Sequence, residues 1–137
     1  MDKERILSKL DKIENYLSQI EEIRPRNIED YTKSIKDRMA CERLLQISVE
    51  NVLDICNMIV SELKLGLPSD EDDVFAKIEN KKIITKDMKN KLIKMKGVRN
   101  ILVHRYGEIE DEKIFEVLSE NLEDFEKFKR EIIKFIK

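Results

Sequence analysis

The chain has 137 residues with equal shares of apolar and charged side chains, 41% each, three Gly, two Pro, no Trp and a formal net charge of -2. That composition excludes a disordered chain and a polycation that grips nucleic acid through global charge, and leaves a helical bundle with charged outer faces. The start Met1-Asp2-Lys3-Glu4-Arg5 is charged and no apolar run approaches the ~20 residues of a membrane span, so a cytoplasmic protein with no membrane partner is expected, residues 1–137 forming one domain.

Ile6, Leu10, Ile13, Leu17 and Ile20 recur at steps of four and three, which predicts a first helix over about Asp2–Glu22. Arg24-Pro25-Arg26-Asn27 breaks the pattern, because proline neither continues a helix nor lets its predecessor do so. A longer helix is predicted over about Ile28–Leu65, striped by Leu45, Val49, Val52, Cys56, Ile59 and Leu63 and stopped at Gly66-Leu67-Pro68. Its first half carries Arg38, Glu42 and Gln46 at steps of four, with Arg43 and Glu50 beside them. This face is either a surface ion-pair row or the border of a cleft. Cys41 and Cys56 lie about 22 Å apart on such a helix, at about 1.5 Å per residue, beyond disulfide reach. With His104 the only histidine, no zinc set is plausible, and neither a metal nor a cofactor is expected.

Ser69-Asp70-Glu71-Asp72 reads as an N-cap followed by first-turn acids, opening a short helix over about Glu71–Glu79. Thr85 caps a fourth helix expected to run to Gly107, and a fifth spans about Asp111–Lys137 with Ile114, Leu118, Leu122, Phe125, Phe128, Ile132 and Phe135 inward. The fold class is all-α, an antiparallel bundle of four long helices and a short one.

The fourth helix departs from an ordinary amphipath. Between Lys81 and Arg105 nine basic residues face Asp87 alone, and a block of acids from Glu108 to Glu126 follows. The apolar stripe Met88, Leu92, Met95 and Leu102 is interrupted by Arg99 and ends on Tyr106. Burying a guanidinium costs several kcal/mol unless it is paired, so Arg99 demands an acid partner, a wet cleft or an anion; Glu42 and Glu50 are the candidate partners. At about 100° per residue, His104 is about 140° round the helix from Arg99, with Asn100 between them. Either the two flank one cleft, or the helix meets a second copy of itself about a two-fold axis, an approach that Gly97 would ease. A lone histidine at a helix end is by default a hydrogen-bonded structural residue. Beside an arginine, an asparagine and a tyrosine on a Lys-rich helix, it also suits phosphoryl chemistry on RNA: His104 takes a proton from a ribose 2'-hydroxyl while Arg99 stabilises the phosphorane-like charge.

Arg99, four residues, His104, one residue, Tyr106, preceded by Gly97 and Val98 and by the upstream Arg38, Glu42 and Glu50, resembles the signature of HepT-like toxins in the HEPN superfamily. The resemblance implies a HEPN-type bundle, a symmetric homodimer and metal-independent cleavage of an RNA substrate. It also implies a cognate partner, a minimal nucleotidyltransferase (MNT) antitoxin that transfers AMP to the motif tyrosine. Mapped onto this chain, Arg99 and His104 are catalytic, Asn100, Glu42 and Arg38 supporting, and Tyr106 the modified side chain. Lys94, Lys96 and Arg105 are the candidate cations for the RNA backbone. The alternative is a non-catalytic helical module that binds a nucleotidyltransferase or a nucleotide.

Overall fold

The computed structural model describes residues 1–104 and 111–137. Over these residues the chain forms α1 (Lys3–Ile23), α2 (Ile28–Lys33), α3 (Ile35–Glu62), α4 (Glu71–Asn80), α5 (Lys86–Val103), α6 (Asp111–Glu120) and α7 (Glu123–Ile136). The all-helical class is as the periodicities require. Two predicted helices are each divided.

Ser34 makes the first division. Its side chain accepts the Asp37 N–H at 3.4 Å and so caps α3, while its own N–H closes α2 on the Asp30 carbonyl. A serine that bonds the backbone locally competes with helix continuation. The second division falls at Asn121-Leu122. Glu116 and Glu120, then Glu120 and Asp124, are like charges four residues apart, which disfavours an unbroken helix, whereas Glu123, Asp124 and Glu126 suit the positive start of a new one.

The ends of α3 and α4 also differ from expectation. Lys64 and Lys82 adopt positive φ, 54° and 59°, each just past a helix end. Leu65 N–H reaches the Val60 carbonyl and Ile83 N–H the Ile78 carbonyl, both at 3.0 Å, the six-to-one bond of a Schellman close. Gly66, at φ 99°, lies beyond the stop.

α3 is the hub, packing against α1, α2, α4, α5 and α6. The element order around it is set by antiparallel pairings. Asp2 N–H meets the Glu62 carboxylate while Lys9 meets Asp54 at 3.4 Å, so α1 runs against α3. Thr85 bonds Glu131 and Lys91 meets Asp124, so α5 runs against α7. Glu79 to Lys89, Asp72 to Lys96 and Glu71 to Arg99 set α4 against α5.

Ile6, Leu10, Ile13, Leu17 and Ile20 of α1 are all buried against a core that includes Tyr31, Leu45, Ile55, Ile59, Phe75, Leu92 and Phe128. α3 is long and apolar enough to cross a membrane, which departs from the expectation that no segment is. Half of its most apolar stretch is buried as the centre of this bundle, and it carries buried Glu42, Ser48 and Asn51.

Candidate functional site

α5 begins where Thr85 accepts the Met88 N–H at 3.1 Å and ends at Val103, with His104 as its C-cap. The helix therefore stops short of Gly107, and Arg105, Tyr106 and Gly107 lie outside the described residues. Met88, Leu92, Met95 and Leu102 are buried as the stripe predicts. Arg99, on the same stripe, keeps only 18% of its side chain exposed.

The acid partner that this position demands is neither Glu42 nor Glu50. Arg99 Nη2 donates to Glu71 Oε1 at 2.5 Å, and Nε donates to Asn100 Oδ1 at 2.9 Å. Glu71 comes from the first turn of α4, whose start is fixed by reciprocal bonds: Asp70 accepts the Asp73 N–H at 2.8 Å, and Asp73 accepts the Ser69 N–H at 3.0 Å. Asp70, not Ser69, is the cap.

Glu42 is 2% exposed and accepts the Tyr31 hydroxyl proton at 3.2 Å from α2. Glu50 accepts from Gln46 at 3.5 Å. Arg38 pairs with Asp111 at 3.1 Å across to the start of α6, so the surface pair with Glu42 is not formed. Neither Arg38 nor Glu42 bonds Arg99. The structure thus joins Arg99 and Asn100 directly, and leaves the two upstream residues tying α2 and α6 to α3.

His104 is exposed at the end of α5, and its N–H closes the helix on the Asn100 carbonyl at 2.9 Å. Seven residues before it on the helix, and so about 20° round the axis, lies Gly97. Gly97 and Lys94 line a groove of about 550 Å³ between α3, α5, α6 and α7, together with Val98, Ile101, Lys113 and Phe125. His104 is not among the residues that line this groove, and Arg99 faces α4 through Glu71. A Cβ on Gly97 would meet nothing within 4 Å inside the protomer, so the glycine is not required by packing within one chain.

The basic block is less bare than its sequence implies. Lys96 holds Asp72 at 2.6 Å, Lys89 holds Glu79 at 3.3 Å, and Lys91 holds Asp87 at 2.8 Å. The Asp87 carboxyl is held below its ordinary range by this hydrogen bond and charge, and the Lys91 ammonium is correspondingly raised. Lys94 is exposed. Compensating acid for Arg99, Lys96 and Lys89 comes from α4, ahead of the basic block, rather than from the acidic stretch behind it. Glu71 and Asp72 are neighbours of the candidate site that the sequence argument missed; the signal for them is the antiparallel α4–α5 hairpin, which brings acids near 71 opposite bases near 97. Among the described residues no group of three or more His, Cys, Asp and Glu side chains is placed to hold a metal ion.

The family model described as Ribonuclease HepT-like matches residues 13–132. The tRNA nuclease HepT of Aphanizomenon flos-aquae is 28% identical over 131 residues, covering 96% of this chain and 89% of the relative. The mRNA nuclease HepT of Shewanella oneidensis is 38% identical over 84 residues, 61% of this chain and 63% of that protein. In three dimensions the chain is similar to the tri-AMPylated HEPN toxin of Shewanella oneidensis solved in complex with MNT antitoxin. The TM-score is 0.88 at 28% identity, covering 98% of this chain and 99% of the other.

Proposed function

The chain belongs to the Ribonuclease HepT-like family, and from that premise we propose that it is the toxin of a toxin-antitoxin pair, an endoribonuclease that cleaves RNA by attack of a 2'-hydroxyl on the adjacent phosphate. The observation that carries this is Asn100, which bonds Arg99 through its side chain and His104 through its backbone, at the end of a basic helix in a chain of this family. His104 accepts the 2'-hydroxyl proton as the O2'–P bond forms, and the P–O5' bond breaks, the departing O5' taking a proton from water, to leave a 2',3'-cyclic phosphate and a 5'-hydroxyl. Arg99 places its donors against the equatorial oxygens, where charge develops. No metal takes part in this scheme. Lys94, Lys96 and Arg105 contact the RNA backbone, while Glu42 and Arg38 hold the surrounding helices.

The partner is an MNT nucleotidyltransferase antitoxin, as in the Shewanella complex. It silences the toxin by moving AMP from ATP to the Tyr106 hydroxyl, with release of pyrophosphate. The added phosphate repels the RNA backbone and occupies donors near Arg99. Residues 1–137 act as one domain in the cytoplasm, paired as a two-fold homodimer that brings two copies of Arg99 and His104 to one cleft.

Purified protein incubated with RNA in EDTA, alongside His104→Ala and Arg99→Ala, tests the assignment. The wild type cleaves and both variants lose cleavage; equal cleavage by all three refutes it. Light scattering at micromolar concentration reports the dimer, and intact mass after co-expression with the nucleotidyltransferase reports AMP on Tyr106, absent in Tyr106→Phe.

A further inference from the structure

A catalytic arginine needs its guanidinium held at a fixed angle, and its long stem does not supply that. Arg99 carries five N–H donors in a planar fork. Its Nε–Nη2 edge is occupied, Nε by Asn100 Oδ1 at 2.9 Å and Nη2 by Glu71 Oε1 at 2.5 Å. The donors that remain are the pair on Nη1 and the second on Nη2, the outer fork whose spacing matches two oxygens of one phosphate.

Glu71 is itself fixed. It is the first residue of α4, set by the Asp70 and Asp73 bonds, and α4 is held in register on α5 by Asp72 to Lys96 and Glu79 to Lys89. Arg99 is thus the last rung of an ion-pair ladder between two antiparallel helices. Its side chain is 18% exposed and that of Glu71 is 37% exposed. A pair this open to water contributes little to stability. Its consequence is geometric.

We infer that Glu71 is a positioning residue for Arg99: it fixes the inner edge of the guanidinium so that the outer fork is presented to the RNA phosphate. The inference rests on the ribonuclease reading for its kinetic part only. A misplacement of about 1 Å at a reacting centre can cost on the order of 100-fold in rate. Removal of Glu71 therefore lowers kcat by about 10- to 100-fold and leaves KM within about twofold, because Lys94 and the other cations still bind the backbone. Glu71→Gln keeps an oxygen at the same place and recovers part of the loss.

The test uses the full chain as wild type, Glu71→Ala and Glu71→Gln, with two readouts. Nitrogen-15 NMR of the Arg99 guanidinium comes first: pairing at Nη2 slows rotation about Cζ–Nη2, so the wild type shows separate Nη signals, which merge in Glu71→Ala and are partly restored in Glu71→Gln. Cleavage kinetics come second. Unchanged Arg99 signals in Glu71→Ala overturn the inference. So does a Glu71→Ala variant with wild-type kcat, or one with lower KM and faster cleavage, which would make Glu71 a competing counter-charge. If the wild type fails to cleave RNA, the ribonuclease reading falls by itself, and the Arg99 signals still decide whether Glu71 positions the guanidinium.

Discussion

Asn100 accepts the Arg99 Nε–H on its side-chain oxygen and the His104 N–H on its backbone carbonyl, both at 2.9 Å. One residue therefore fixes the guanidinium and the helix end that carries the imidazole. Only the first of these bonds depends on the side chain. Asn100→Ala frees one edge of Arg99 and leaves the helix cap, so kcat for RNA cleavage falls by about tenfold or more while the melting temperature shifts little. Asn100→Asp keeps the acceptor and restores much of the rate. The comparison of kcat and melting temperature across the two variants checks this, and equal kcat in wild type and Asn100→Ala counts against it.

Lys94 and Lys96 are two residues apart but differ in electrostatic standing. Lys96 is engaged by Asp72 at 2.6 Å, and Lys94 is exposed. To contact a phosphate, Lys96 must exchange one anion for another, so fewer counterions are released. For single strands each neutralised phosphate contributes a slope of about 0.7 in log K against log salt. Lys94→Ala is expected to flatten the slope of RNA binding by about that amount, and Lys96→Ala by less. Fluorescence anisotropy with a labelled RNA at several salt concentrations, in a His104→Ala background to prevent cleavage, measures both. Equal slopes for the two variants would show that Asp72 does not compete.

How far the sequence leads depends on the kind of information each feature uses. α1 and the stripe of α5 are legible because burial along one helix face follows from the spacing of Ile and Leu, and every residue of the α1 stripe is buried. The breaks at Ser34 and Asn121 are not, since a hydrophobic period continues through both and only local hydrogen bonding or charge repulsion divides them. Lys64 and Lys82 in the left-handed region escape a search for glycine stops, because the hydrophobic residue after each lysine, Leu65 or Ile83, compensates the strain. At the site, the need of Arg99 for a carboxylate is legible from its position on an apolar stripe. Which carboxylate is not: Glu42 and Glu50 are the acids on the neighbouring long helix, but the α4–α5 hairpin brings Glu71 there instead. Tyr31 escaped notice because α2 is too short to show a period.

The two cysteines are expected to be inert in the native protein. Both are fully buried. Burial raises the Cys41 thiol from 9.0 to about 11, with the nearby Asp37 charge adding to the rise, and it raises the Cys56 thiol further. The thiolate is the reactive form, so at pH 8 neither reacts with a disulfide reagent such as Ellman's while folded, and both react in denaturant. The sign for stability follows from the raised native values: the contribution is full below the unfolded pKa and is lost as pH rises through the native one, so stability declines from about pH 9 upward. Rapid labelling of one thiol under native conditions would contradict this packing.

Tyr31 and Glu42 form a side-chain hydrogen bond inside the core. Tyr31 is fully buried, its ring centroid 5.2 Å from that of Phe115, and its hydroxyl donates to Glu42 at 3.2 Å. Tyr31→Phe preserves the ring and removes the donor, which takes one hydrogen bond from a buried carboxyl. A hydrogen bond contributes about 0.5–3 kcal/mol, the upper part of the range applying where the acceptor is charged, and a loss within that range is expected. Glu42→Gln keeps an acceptor for the tyrosine and should cost less at this contact. Urea unfolding of the two single variants and the double variant measures the coupling, with the m-value as the check that only stability has changed. A coupling near zero would show that the Tyr31 hydroxyl does not hold Glu42.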